Sequence, residues 1–133
     1  MALMNQEKRE KPHILVIDDD RTFRNALTEY LIHNGYKVDS AESGETAIKM
    51  LKENPADVVL LDIYMPEMDG LKVLTKIREE KIPTKVIILT AADGLRIVQE
   101  CVKLGADEFI TKPFNLNLLV ETIGKVTGNP PPL

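Results

Sequence analysis

Apolar and polar positions along this chain follow two different periods, and the changes of period mark its elements. His13-Ile14-Leu15-Val16-Ile17 is a short, β-branched apolar run that stops abruptly at Asp18-Asp19-Asp20. A run of that length and composition predicts a buried strand. From Arg21 the spacing changes. Phe23, Ala26, Leu27, Tyr30 and Leu31 fall at i, i+3, i+4, i+7 and i+8, which is one face of a helix. Asn34-Gly35 ends it, with Gly35 suited to the left-handed position past a helix C-terminus. Tyr36 to Ala41 is more polar and reads as a strand near a sheet edge. Ser43 predicts the cap of a second helix whose inner face is Ala47, Ile48 and Leu51, with Pro55 beyond its end.

The alternation then repeats. Val58-Val59-Leu60-Leu61 predicts a third-order buried strand ending in Asp62, followed by a loop through Met65-Pro66 and a helix carrying Leu71, Leu74 and Ile77. Lys85 to Leu89 predicts the fourth strand, ending at Thr90, and Leu95, Val98, Cys101 and Val102 the fourth helix, stopped near Gly105. Glu108-Phe109-Ile110-Thr111 reads as a short fifth strand before Lys112-Pro113, and Leu116, Leu119, Val120 and Ile123 mark a last helix. The tail Gly128-Asn129-Pro130-Pro131-Pro132 cannot continue a helix. The expected organisation is a disordered extension over 1–11, one domain over 12–127, and a tail or linker stub over 128–133.

Five strands alternate with five helices. Strand runs without polar alternation need cover on both faces, which predicts a parallel sheet. Right-handed crossovers leave a flavodoxin-like α/β fold, (βα)5, of strand order 2-1-3-4-5.

Composition narrows the function. The 133 residues suit one domain, at roughly 150 residues per domain. Seventeen Lys and Arg against 21 Asp and Glu give a net charge of −4, which argues against nucleic-acid binding by this domain. The single cysteine, Cys101, allows no internal disulfide and agrees with a reducing, cytoplasmic compartment. No apolar run approaches the roughly 18 residues of a membrane span, so no membrane role is expected. Cys101 and Tyr30 lie on apolar helix stripes and read as core. His13 and His33 have no neighbouring Cys or second His, so no zinc site is expected.

In a parallel sheet every strand ends at the same edge, and ligands bind there at the switch point between strands 1 and 3. Those two strands end in Asp18-Asp19-Asp20 and Asp62, while strand 4 ends at Thr90 and strand 5 near Lys112. Two carboxylates about 5 Å apart repel by roughly 3 kcal/mol at an effective dielectric of about 20. Either one carboxyl is protonated or a cation offsets that repulsion, and an all-oxygen ligand set favours Mg²⁺, with Mn²⁺ as a substitute, or Ca²⁺ over zinc. Carboxylate, metal, ammonium and hydroxyl together suit phosphoryl chemistry.

Four segments carry a resemblance: Ile14-Leu15-Val16-Ile17-Asp18-Asp19-Asp20, Leu60-Leu61-Asp62-Ile63-Tyr64-Met65-Pro66-Glu67-Met68-Asp69-Gly70, Ile88-Leu89-Thr90-Ala91 and Thr111-Lys112-Pro113-Phe114. In that order, at strand ends, they make the sequence resemble the receiver domain of two-component response regulators over nearly all of 12–127. The resemblance implies that Asp62 accepts a phosphoryl group from a phosphohistidine on a sensor kinase or phosphotransfer protein. It implies Mg²⁺ held directly by Asp19, Asp62 and the Tyr64 carbonyl, and by Asp18 through water. Lys112 would pair with the carboxylate and then with phosphoryl oxygens, across a cis Lys112–Pro113 bond. Thr90 and the Ala91 N–H would bind the phosphoryl group, and Phe109 would be the switch aromatic, here without a hydroxyl. Helix 1 would meet the kinase, and helix 4, strand 5 and helix 5 would form the output or homodimer surface. Catalytic turnover of an external substrate is not implied. Tyr64 and Ala92 are expected to set phosphate lifetime, Tyr64 by shielding the acyl phosphate from water.

Three other readings use the same residues differently. Asp18-Asp19-Asp20-Arg21-Thr22 fits the D-x-D-x-T pattern of haloacid-dehalogenase-like phosphatases, with Asp18 as nucleophile and Asp20 as acid. That reading leaves Asp62 and Lys112 unexplained; in the bland one Asp20 is a helix cap and Asp69-Gly70 a turn. A flavin carrier of this topology would need a Gly/Ser/Thr-rich loop after strand 1. A receiver-like binding module that takes no phosphate would have no need of Asp62, Thr90 and Lys112 together.

Overall fold

The computed structural model describes residues 11–63, 70–91 and 95–128. Five strands, β1 (His13–Ile17), β2 (Lys37–Ala41), β3 (Val58–Asp62), β4 (Lys85–Ala91) and β5 (Glu108–Lys112), alternate with five helices. The helices are α1 (Arg21–His33), α2 (Gly44–Glu53), α3 (Gly70–Glu79), α4 (Leu95–Lys103) and α5 (Leu116–Thr127). All strand pairs are parallel and the order is β2-β1-β3-β4-β5, as expected from the alternation.

Helix ends follow local chemistry. The Asp20 side chain accepts from the Phe23 N–H at 3.2 Å and caps α1, and Ser43 caps α2 through the Thr46 N–H at 3.2 Å. Such caps satisfy backbone donors that the helix itself cannot. Gly35, at φ +91°, turns the chain after α1. Gly70 opens α3 where a Cβ would fall 2.6 Å from the Ile63 Cα, so only glycine lets the helix start this close to β3.

The pleat divides the core in two. Ile14 and Val16 of β1, Val58 and Leu60 of β3 and Ile87 and Leu89 of β4 pack with Leu27, Leu31, Leu119 and Ile123 of α1 and α5. Leu15, Ile17, Val59, Leu61, Val86 and Ile88 face Ala47, Ile48, Leu51, Val73, Leu74, Ile77 and Cys101 of α2, α3 and α4. Every residue of β3 is buried, which explains its unbroken apolar run; the edge strand β2 alternates exposed and half-buried positions. Each fully buried Leu, Ile or Val contributes about 1.5–3 kcal/mol of transfer free energy.

Several positions differ from the expected pattern. Strands β4 and β5 run on to Ala91 and Lys112, because parallel pairing continues through Thr90↔Thr111 and Ala91↔Lys112. Val102 is 61% exposed: α4 covers the sheet with a narrow stripe through Val98 and Cys101. Ala26 is exposed and Leu116 is 38% exposed, and both line a groove instead of the core.

The edge where the strands begin is closed by polar ties. Asp57 accepts from the His13 N–H at 2.8 Å, and Asp107 accepts from the Val86 N–H at 2.8 Å. Arg78, at the end of α3, donates to the Thr84 carbonyl at 2.9 Å, the Gly105 carbonyl at 2.8 Å and Asp107 at 3.0 Å. Lys11 is anchored to the end of α1 by a bond to the Asn34 carbonyl and by its position 4.7 Å from the Tyr36 ring centroid.

Candidate functional site

At the opposite edge the strand ends deliver the acids. Asp18 follows β1 and is fully buried; Asp62 closes β3 at 8% exposure; Asp19 is exposed. One carboxylate oxygen from each lies within 4.8 Å of the others. The sequence reasoning placed these three together because β1 and β3 are neighbours, and their pairing, Ile17↔Leu61, does so.

Asp18 is held on three sides. Its Oδ1 accepts from the Asp20 N–H at 2.9 Å, its backbone N–H reaches the Ala41 carbonyl at 3.2 Å, and its own carbonyl accepts from Arg24 Nη1 at 2.9 Å. Its Oδ2 faces the Lys112 ammonium at 3.4 Å, and Asp62 Oδ2 lies 3.9 Å from the same nitrogen. Lys112 therefore sits between two carboxylates, nearer Asp18 than the acceptor assigned by resemblance. The Lys112–Pro113 peptide is cis.

Thr90 is 2% exposed, and its hydroxyl makes a long 3.4 Å bond to the Ala91 carbonyl. Phe109 is 40% exposed. Ile88 pairs with Phe109 and Thr90 with Thr111, so Thr90 and Phe109 share the α4 side of the pleat. Asp62 and Lys112 alternate with Leu60 and Ile110 and take the α1/α5 side.

The donor set fits a hard dication. It is all carboxylate, and it holds surplus negative charge against one ammonium. One oxygen from each of the three lies close enough to the others for a single ion to be held among them. Tyr64, assigned a carbonyl ligand, and Ala92, assigned a role in phosphate lifetime, lie outside the described residues.

Three residues escaped the sequence reasoning. Phe23 reads as core on the helical stripe, yet Lys112 Nζ lies 4.2 Å from its ring centroid. Phe114 meets Phe23 edge-on, with centroids 6.2 Å apart and planes at 88°. Arg24 props the Asp18 carbonyl. Only Arg24 left a signal, a cation one turn into the helix after an acidic strand end. The Phe23–Lys112 pair joins distant parts of the chain and has no local periodicity. Phe23, Ala26, Leu27, Tyr30, Pro113, Phe114 and Leu116 wall a groove of about 460 Å³ beside the acids. Asp20 caps α1, the role that the plainer reading of this position gives it.

The profile of the response regulator receiver domain matches residues 14–124. A cyclic di-GMP phosphodiesterase of Thermotoga maritima is 43% identical over 106 residues, 80% of this chain and 28% of that protein. The chemotaxis protein CheY of Bacillus subtilis is 35% identical over 113 residues, 84% of this chain and 94% of that one. The receiver domain of a Francisella response regulator superposes with a TM-score of 0.82 at 32% identity, covering 89% of this chain and 98% of that one. The chain spans between about a quarter and a half of the length of the first curated relatives, which include the response regulator MprA of Mycobacterium.

Proposed function

The chain belongs to the family of response regulator receiver domains, and from that premise we propose that Asp62 is the carboxylate that takes the phosphoryl group. The observation that carries this reading is the placement of Asp62: nearly buried at the end of β3, 3.9 Å from one ammonium and clustered with two further carboxylates. A carboxylate oxygen of Asp62 attacks the phosphorus of a phosphohistidine; the O–P bond forms as the N–P bond breaks, and the imidazole leaves with its electron pair. Asp19 and Asp62 would hold Mg²⁺ directly, with the Tyr64 carbonyl, and Asp18 through water. Bound there, the ion supplies charge neutralisation for the transferring group. Asp18, fixed by the Asp20 N–H and by Arg24, draws Lys112 toward the acceptor, and Lys112 then moves onto phosphoryl oxygens.

The product carries about two negative charges in place of one, with three strong acceptors. Thr90 and Ala91 follow Leu89, the β4 partner of Asp62, and the Thr90 hydroxyl and the Ala91 N–H would supply the new bonds. Flipping a two-state equilibrium from 1:99 to 99:1 takes about 5.5 kcal/mol. Bonds to a charged group contribute about 1.5–3 kcal/mol each, so two or three suffice. As Thr90 is drawn to the phosphoryl group, room opens on its side of the pleat for Phe109, which turns from solvent inward by packing alone.

The kinase or phosphotransfer protein meets α1, where the groove beside Lys112 offers apolar cover. The output domain, partner protein or second copy meets the α4-β5-α5 surface, where Val102, Phe109 and Leu118 are exposed beside the Glu108–Lys125 pair at 2.9 Å. The expected place of action is the cytoplasm; among the described residues no helix is long and apolar enough to cross a membrane.

Intact mass after incubation with acetyl phosphate and Mg²⁺ tests the reading. One added phosphoryl group, absent in Asp62→Asn and without Mg²⁺, is expected. No gain under any condition would leave a binding module.

A further inference from the structure

We propose that Phe23 is a positioning residue for the transfer to Asp62: its ring face, braced by Phe114, holds the Lys112 ammonium where it reaches both Asp18 and Asp62. The proposal rests on the reading of Asp62 as phosphoacceptor.

Lysine is a compact charge on a flexible four-carbon stem, and nothing in its own geometry aims it. At this site its two carboxylate distances, 3.4 Å and 3.9 Å, are longer than a tight charged hydrogen bond. The acids therefore attract the ammonium without fixing it. The Phe23 ring, 4.2 Å from Nζ, approaches from the α1 side and presents the negative face of its quadrupole to the charge. Phe114 packs at 88° to that ring with centroids 6.2 Å apart, and this edge-to-face contact braces Phe23. The Lys112 side chain keeps 30% exposure, so without the ring the ammonium has open water to move into. Three contacts, two charged and one aromatic, together define one location. Phe23 does not touch the reacting atoms; it acts through Lys112.

A ring that merely filled space would be replaced without loss by a ring of the same shape. Fluorination separates the two roles, because it cancels the quadrupole while nearly preserving volume. Wild type and proteins carrying mono-, di- and trifluorophenylalanine at position 23 would be phosphorylated with acetyl phosphate and Mg²⁺, and the rate constant followed by intact mass. The expected result is a stepwise fall of log rate with fluorine number, to about three- to tenfold at trifluoro, with unchanged melting temperature. Phe23→Leu should fall at least as far, and Phe23→Tyr should recover most of that loss. A second readout needs no phosphoryl transfer: the Lys112 side-chain methylene protons next to Nζ should show an upfield ring-current shift, lost in Phe23→Leu. Equal rates across the fluorinated series, or no ring-current shift, would overturn the role of Phe23 while leaving Asp62 as acceptor. A wild-type protein that gains no phosphoryl group would overturn the Asp62 reading itself, and the kinetic role of Phe23 with it.

Discussion

At the edge where the strands begin, Asp57 and Asp107 each accept a 2.8 Å backbone N–H, and Asp107 also meets Arg78 at 3.0 Å. At the edge where they end, Asp18, Asp19 and Asp62 crowd within 4.8 Å of one another around one ammonium no closer than 3.4 Å. The same residue type thus closes one end of the sheet and leaves the other charged and open. The closed end ties α3 and the α4–β5 turn to β4 and serves the fold. The open end holds repulsion that a dication and a phosphoryl group can use. Substitutions should therefore separate cleanly, with chemistry lost at one edge and stability at the other.

The largest expected effect is at the open edge. Asp62→Asn should abolish phosphoryl uptake in the intact-mass assay, while its urea midpoint stays equal or rises, because a repelling charge is gone. An Asp62→Asn protein that unfolds early would break the comparison. Next, chelation of Mg²⁺ should slow uptake by orders of magnitude, restored by Mg²⁺ or Mn²⁺ and not by monovalent salt. At the closed edge, Asp107→Ala leaves the Val86 N–H without its acceptor and takes from Arg78 one of its three, the Thr84 and Gly105 carbonyls remaining. It should cost about 2–3 kcal/mol in urea unfolding with the uptake rate within about twofold of wild type. Tyr64→Ala should shorten the life of the phosphorylated form several-fold in a dephosphorylation time course; an equal or longer life would remove Tyr64 as a shield.

The smallest effect is away from both edges. Burial, and secondarily Glu100, pushes the Cys101 thiol up to about 11. The unfolded chain then ionises this thiol first as pH rises through about 9, so the stability it contributes is full below that pH and is lost on the way to 11. Cys101→Ala should flatten that part of the stability–pH curve relative to wild type.

Most of the fold was legible because period and burial coincide here: β3 is buried at every residue, and its sequence is apolar at every residue before Asp62. The acids were legible because strand ends are sharp and topology makes β1 and β3 neighbours. Val102 and Leu116 misled because a helical stripe records spacing and says nothing of how wide a face the sheet can cover. Phe23 was hidden for a related reason. An aromatic on an apolar stripe looks like core whether its face meets a leucine or an ammonium, and only the return of β5 beside α1 decides which.

Within β4 and β5, neighbouring residues point to opposite sides of the sheet. Lys112 faces α1, and Phe109, three residues earlier, faces α4. On the proposed assignment of the two faces, changes near Phe109 would alter the output surface and leave the Phe23–Lys112 contact untouched.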